Sequence, residues 1–305
     1  MLALVSTPGG SVPAEVRQVD EPRPGPSEAV LKVEAFGINR GELSLLPNRP
    51  NWQPGQDVAG VVEQPAADGS GPPRGARAVG LVDQGGWAER VAVPVSRLAV
   101  RPEAASAEAA AALPVAGLTA LRALRVGGPL LGRRVLVTGA SGGVGHFAVQ
   151  LARVGGATVA GVASAAHAEA VRALGAVQTV TAVDQAAGLY DVILESVGGT
   201  SLSAAVHKVA PGGSVVIFGN SSREQAALSF PDFAGHAGAR IYAFFVYLSG
   251  EPPTFGEDLG YLAALVGDGR LVPRLGYRGS WRDLPAALGA LQNRQVVGKV
   301  VLRVD

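Results

Sequence analysis

The 305 residues include no cysteine. That absence excludes disulfides, thiolate nucleophiles, iron–sulfur clusters and every cysteine-based zinc site, and it suits a cytoplasmic protein. Lysine is almost as scarce: Lys32, Lys208 and Lys299 are the only three. No Lys/Arg-rich run occurs and the formal net charge is +1, so nucleic acid is not an expected partner. No stretch of about 18 consecutive apolar residues is present, so no membrane span is expected. The segment Met1 to Gly10 lacks the charged start and apolar run of a secretory signal. The four histidines, His146, His167, His207 and His236, fall in no metal-ligand spacing, so no metal is expected.

What remains is 48% hydrophobic and rich in glycine, long enough for two domains that each bury a core. The first third reads as β-rich. Runs at Ala29 to Ala35, Asp57 to Glu63, Ala76 to Val82 and Trp87 to Val93 are separated by Pro/Gly-dense turns. Glu103 to Arg125 is Ala/Leu-rich with helical spacing, broken near Pro114 and Gly117. From Arg134 strand and helix alternate: strands at Val135–Thr138, Thr158–Ala163, Gln178–Thr181, Asp191–Glu195, Ser214–Phe218 and Arg240–Val246, with helices between several of them. That rhythm predicts a parallel, doubly wound sheet. The last segment predicts helices at Phe255–Val266 and Leu284–Gln292 and a strand at Gly298–Leu302 that returns to the first domain.

The chemistry is carried by Gly139-Ala140-Ser141-Gly142-Gly143-Val144-Gly145, set between a strand and the amphipathic segment His146 to Arg153. In that context the glycines permit a tight turn and close backbone approach to a pyrophosphate. A side chain at Gly145 would force helix and strand apart, and the helix N-terminus offers free N–H groups to phosphates. NAD-specific sites place an acid at the end of the second strand. Here that strand runs into Ser164-Ala-Ala-His167, and the first acid is Glu169, already in a helix. This favours NADPH over NADH. Ser164 can donate to a 2′-phosphate and His167 can assist when protonated, while either equally suits a helix cap.

The order and spacing of Gly37-Ile-Asn39-Arg-Gly-Glu42, Gly55-Gln-Asp57-Val-Ala-Gly60, Gly85-Gly86-Trp-Ala-Glu89, Ala109 to Thr119, the Gly139–Gly145 turn and Ile217-Phe-Gly219-Asn220 are similar to one family. Over essentially its whole length the chain resembles the zinc-independent quinone oxidoreductase and enoyl reductase branch of the medium-chain dehydrogenase/reductase superfamily. The resemblance implies an α/β protein: a GroES-like β-rich substrate domain plus a doubly wound parallel Rossmann sheet. Its boundaries would be 1–117, completed by 269–305, and 118–268, with the cofactor in the cleft and a homodimer as the assembly. It places Asn39, Thr119 and the Phe218–Asn220 strand end close to the nicotinamide, and Arg294 at the adenine-ribose phosphate, unless Arg294 is simply a surface residue at a helix end.

Zinc-dependent relatives carry Gly-His-Glu where this chain has Gly55-Gln56-Asp57, and a catalytic cysteine that is missing here. The loop between Asn39 and Gly55 also lacks the tyrosine that some enoyl reductases place there. Conjugate hydride transfer to a quinone or an α,β-unsaturated carbonyl compound is then the simplest chemistry, with orientation in a water-poor cleft as its main source of rate. Asn39 and Thr119 are candidate donors to the enolate. Glu42, Tyr242 or Tyr247 could relay its proton, as could solvent, and Tyr242 to Tyr247 also reads as a packed aromatic strand. Trp52 and Trp87 suit either an apolar pocket or the core. Two alternatives stay open: a pathway-specific enoyl reductase of a polyketide-like intermediate, and a non-catalytic NADPH-binding sensor.

Overall fold

The computed structural model describes residues 1–249 and 253–305. The chain divides into two compact units, one comprising Met1–Leu118 and Glu251–Asp305, the other Thr119–Gly250.

The first unit opens with an antiparallel hairpin, β1 (Leu2–Ser6) and β2 (Ala14–Gln18). The long strand β3 (Glu28–Ile38) leads into the short helix α1 (Arg40–Leu45). Strands β4 (Asp57–Gln64), β5 (Arg77–Leu81), β6 (Arg90–Pro94) and β7 (Leu98–Val100) follow, and then helix α2 (Ala107–Ala111). Helix α3 (Pro114–Gly127) carries the chain into the second unit.

That unit holds β8 (Arg134–Val137), α4 (Gly145–Val154), β9 (Thr158–Val162), α5 (Ala168–Ala173) and β10 (Gln178–Val180). It continues with β11 (Tyr190–Glu195), α6 (Gly199–Val206), β12 (Val209–Ile217) and β13 (Arg240–Ala243). The chain then returns to the first unit through α7 (Phe255–Gly267), β14 (Leu275–Ser280), α8 (Leu284–Gln292) and β15 (Lys299–Arg303).

In the first unit seven strands form one sheet, in the order β14-β15-β3-β4-β5-β7, with β6 also paired to β3. The C-terminal strand does return as expected: Val300 to Arg303 pair antiparallel with Ile38 to Ala35. Burial of Leu31, Phe36, Trp87, Trp281 and Leu302 builds the core. Trp87 is fully buried and its ring stacks on Phe36 at 5.5 Å, so of the two readings offered by its sequence the core one holds. Trp52 is half-buried, and its Nε1 donates to Gln84 Oε1. Gly37 on β3 is a point of close approach. A Cβ there would lie 2.6 Å from the Ala111 carbonyl oxygen and 2.8 Å from Asp57 Oδ2, so only glycine lets α2 and β4 sit this near.

The second boundary falls earlier than the 268/269 junction expected from the sequence. The family resemblance implies a boundary after this helix, but α7 packs on β7 of the first unit. Its Gly256 lies against the backbone of Leu98 and Ser96, and Gly267 lies against Pro102. Tertiary packing, not periodicity, assigns that helix.

In the second unit all six strands are parallel, in the order β10-β9-β8-β11-β12-β13. The chain runs outward from β8 to β10 and resumes on the other side at β11. The C-terminal ends of β8 and β11 therefore flank the point where strand order reverses, the position at which open α/β sheets hold ligands. Strand β13 is shorter than expected, because after Ala243 only Phe244 keeps a sheet bond, donated to the Ile217 carbonyl. Tyr247 lies beyond it, in the 3-10 turn Val246–Leu248.

Candidate active site

At the end of β8 the backbone turns at Gly139, whose φ of 58° is in the left-handed region. The turn is tied on both sides: Thr138 N donates to the Leu194 carbonyl at 3.0 Å, and Ala140 N to the Val162 carbonyl at 3.0 Å. Gly142 N closes it onto the Gly139 carbonyl at 2.9 Å. Helix α4 begins at Gly145, where a Cβ would collide with the Gly139 carbonyl oxygen and stand 2.8 Å from Ala140 Cα. The amides of Ser141, Gly143, Val144 and Gly145 donate to nothing among the described residues. Four open N–H groups at the positive end of a ten-residue helix fit a pyrophosphate.

The helix start is pinned from within. His146 is fully buried, its Nδ1 lies 3.0 Å from the Gly142 carbonyl, and its ring packs on Phe147. Since a carbonyl only accepts, Nδ1 carries the proton. His146 is therefore a packing and capping residue, as its position at the helix start suggests.

Around the turn the structure brings several predicted residues together. Ser141 Oγ lies 3.3 Å from His167 Nδ1, joining the Gly-rich turn to the end of β9. Ser164 is exposed, and its side chain caps no helix, which leaves its hydroxyl open. Past β12, Phe218 N donates to the Glu195 carbonyl and Ser221 N to the Ser196 carbonyl, folding Phe218, Gly219 and Asn220 over the end of β11. An open cleft of about 390 Å³ runs beside them, lined by Gly198, Gly219, Asn220 and Arg223 among others. Thr119 is buried in α3, and Tyr242 is half-buried on β13.

Glu195 was not legible as a site residue. It is fully buried at the end of β11 and accepts from Val197 N, Gly198 N, Ser201 Oγ and Thr138 Oγ1 at 2.8–3.2 Å. This carboxylate joins the start of the Gly-rich turn to the loop that opens α6. A strand ending in an acid was the available signal, but nothing in the sequence says that the acid faces inward.

In the first unit, Asn39, Glu42, Asp57 and Lys299 form one polar cluster. Lys299 Nζ donates to Asp57 Oδ2 at 2.8 Å, to Asn39 Oδ1 at 2.5 Å and to the Ile38 carbonyl at 3.3 Å. Asp57 is completely buried and also accepts from Asn39 Nδ2 at 3.0 Å and from Val115 N at 2.8 Å. Its oxygens are therefore engaged by three groups of the chain itself. Among the described residues no group of three or more His, Cys, Asp or Glu is placed to hold a metal ion.

Glu42 is fully buried, and its Oε2 accepts from Asn39 N at 2.7 Å at the start of α1. Its Oε1 makes no hydrogen bond of ordinary geometry. Burial pushes the carboxyl up to about 8; the Asn39 amide and the Lys299 charge pull it down, the Asp57 charge pushes it further up, and the Gln56 backbone lowers it least. At neutral pH Glu42 is therefore protonated. Arg294, with φ of 58°, belongs to the first unit, near Arg40, whose guanidinium is lowered by burial and by the Arg294 charge.

Similarity to known proteins bears on descent. A family model described as zinc-binding dehydrogenase matches residues 143–260. A mycobacterial quinone oxidoreductase superposes with a TM-score of 0.87 at 25% identity, covering 99% of both chains. The rat synaptic vesicle membrane protein VAT-1 homolog is 31% identical over 325 residues, spanning 95% of this chain and 80% of that protein. The chain belongs to the quinone oxidoreductase branch of the medium-chain dehydrogenase/reductase superfamily. The chain is also similar to part of a much longer protein. The Streptomyces orinoci spectinabilin polyketide synthase system protein NorB is 36% identical over 291 residues, 91% of this chain but 13% of that protein. A mycobacterial structure complexed with NADPH superposes with a TM-score of 0.85 at 25% identity, covering 99% of this chain.

The raised Glu42 carboxyl has a consequence for stability. Between its ordinary value of 4.5 and about 8 the folded state binds a proton that the unfolded state has released. Stability therefore falls as pH rises through that window and levels off above it, by a few kcal/mol in all. Glu42→Gln should flatten this dependence and raise stability at about pH 8 relative to the parent. Denaturant midpoints measured across the window check it; equal slopes in the two proteins would contradict the assignment.

Proposed function

We propose that this oxidoreductase is zinc-independent and uses NADPH in preference to NADH to reduce a quinone or an α,β-unsaturated carbonyl compound. The observation that carries the reading is the set of four open amides at the turn from β8 to α4, together with a second strand that ends without an acid. Ser141, His167 and Ser164 would take the 2′-phosphate, and the Gly139–Gly145 turn the pyrophosphate. Phe218, Gly219 and Asn220 would flank the nicotinamide half, and Arg294 would assist at the adenine-ribose phosphate. The similarity to a protein solved with NADPH supports the choice of cofactor.

When bound, the reduced nicotinamide supplies the hydride. The chain's own part is to exclude water, orient the acceptor and stabilise the charge that develops on its oxygen. Asn39 and Thr119 are the donors for that oxygen. Tyr242 or solvent returns the proton, and Glu42, protonated and buried, holds one in reserve behind Asn39. Zinc-free chemistry is supported by the lack of cysteine and by the full engagement of Asp57. A second reading, an enoyl reductase acting on a polyketide-like intermediate, is favoured by the similarity to NorB.

The same reading makes the enzyme a cytoplasmic homodimer. No described helix is long and apolar enough to cross a membrane. β13 is the outer strand of the parallel sheet, and beside it Phe245 is 64% and Leu248 82% exposed. A paired edge would cover them. Ile241→Lys with Phe245→Lys should convert the wild-type dimer to a monomer by light scattering; a wild type that is already monomeric would contradict the assembly.

Turnover is the direct test of the activity. Purified protein mixed with NADPH should lose the reduced-nicotinamide absorbance when a small quinone or an enone is added, and more slowly with NADH. Binding of NADPH without turnover of either acceptor, or of an enoyl thioester, would overturn the reductase assignment in favour of a non-catalytic sensor.

A further inference from the structure

The buried pair Lys299–Asp57 fixes more than a charge. Lysine has only donors and a carboxylate only acceptors, so an amide held between them has one possible orientation. Asn39 Oδ1 faces Lys299 Nζ, and Asn39 Nδ2 faces Asp57 Oδ2. Three acceptors surround Nζ, matching the three N–H groups of an ammonium. Asp57 is in turn held by Val115 N, in the first turn of α3. Both charged side chains are sequestered, with 2% and 0% exposure, and cannot themselves meet a ligand. Asn39 is half-buried, and its second Nδ2–H donates to nothing among the described residues.

We infer that Lys299 and Asp57 are positioning residues that lock the Asn39 carboxamide so that its free Nδ2–H is presented to the carbonyl oxygen of the substrate. This rests on the reductase reading for what the oxygen belongs to, but the locking itself does not. The ammonium on Oδ1 also polarises the amide, making the free N–H a stronger donor to an oxygen that gains charge. A buried ion pair is a weak source of stability compared with apolar residues of similar size, whereas it specifies orientation well. The pair is thus better suited to holding Asn39 than to holding the fold.

The test exploits that distinction. In Asp57→Asn/Lys299→Met both charges leave together, so no unpaired ion is buried. The new amide can still accept from Val115 N, but it then turns an N–H toward Asn39, which must answer with Oδ1 and rotate its own Nδ2 away. The double variant should fold with a melting temperature close to the parent. Its kcat should fall by about 100- to 1000-fold, matching Asn39→Ala, with the KM for NADPH unchanged. Adding Asn39→Ala to the double variant should cost nothing more. A folded double variant with parental kcat, or losses that multiply, would overturn the proposal.

If the wild type turns over no acceptor, the reductase reading falls and the locking is read separately. The chain has five asparagines, so [15N]asparagine-labelled protein gives few side-chain NH2 signals. Asn39 is assigned by its loss in Asn39→Ala. Its signal should shift and exchange faster with solvent in the double variant; an unchanged signal would overturn the locking itself.

Discussion

The second unit depends on how closely the start of α4 can approach the end of β8. At Gly145 the helix backbone meets the Gly139 carbonyl at a distance that no side chain allows. The left-handed turn at Gly139 and the buried imidazole of His146 on the Gly142 carbonyl then hold the helix axis in line with the strand. With the helix start fixed, the open amides of Ser141, Gly143, Val144 and Gly145 lie between the end of β8 and α4, at the reversal point of the sheet. Glu195 extends the constraint sideways, since it gathers Thr138 and the loop after β11 onto a single carboxylate. The proposed anion site would rest on backbone amides presented by packing, in a chain that has only three lysines.

The first unit uses its scarce lysine differently. Lys299 lies on the C-terminal strand and Asp57 at the start of β4, and the antiparallel pairing of β15 with β3 brings them together across 242 residues of sequence. Gly37 leaves room for Asp57 beside β3, and the buried, protonated Glu42 closes the cluster from α1. Charge is thereby neutralised inside the cluster, and one polar group, the Asn39 amide, remains partly open. The two units thus differ in what they present: one a run of open backbone amides, the other a side-chain amide held between charged neighbours.

Much of this could be read from the sequence, and the parts that could not share a cause. The Gly-rich turn was legible because its physics is local: strand, glycines and helix are contiguous. The parallel sheet was legible through its repeating Val/Ile/Leu runs, and the return of the final strand through its β-branched pattern. The β1–β2 hairpin passed unread, since its alternation is short and broken by the Pro8-Gly9-Gly10 segment. The unit to which helix α7 belongs is not legible, because its period reveals an apolar face and not what covers that face. Lys299 and Glu195 stayed invisible for the same reason. A lone charged residue in a strand carries no mark of a partner that only the fold supplies, whereas Asn39 and Glu42 could be named because a family motif surrounds them.

If the close contact at Gly145 creates the proposed dinucleotide site, filling that contact removes binding without unfolding the chain. Titration of NADPH into the wild type and into Gly145→Val, followed by calorimetry, tests it most directly, with far-ultraviolet circular dichroism to confirm that both proteins are folded. Saturable binding to the wild type and none to the folded variant is expected. Equal affinity for NADPH in the two proteins would contradict it.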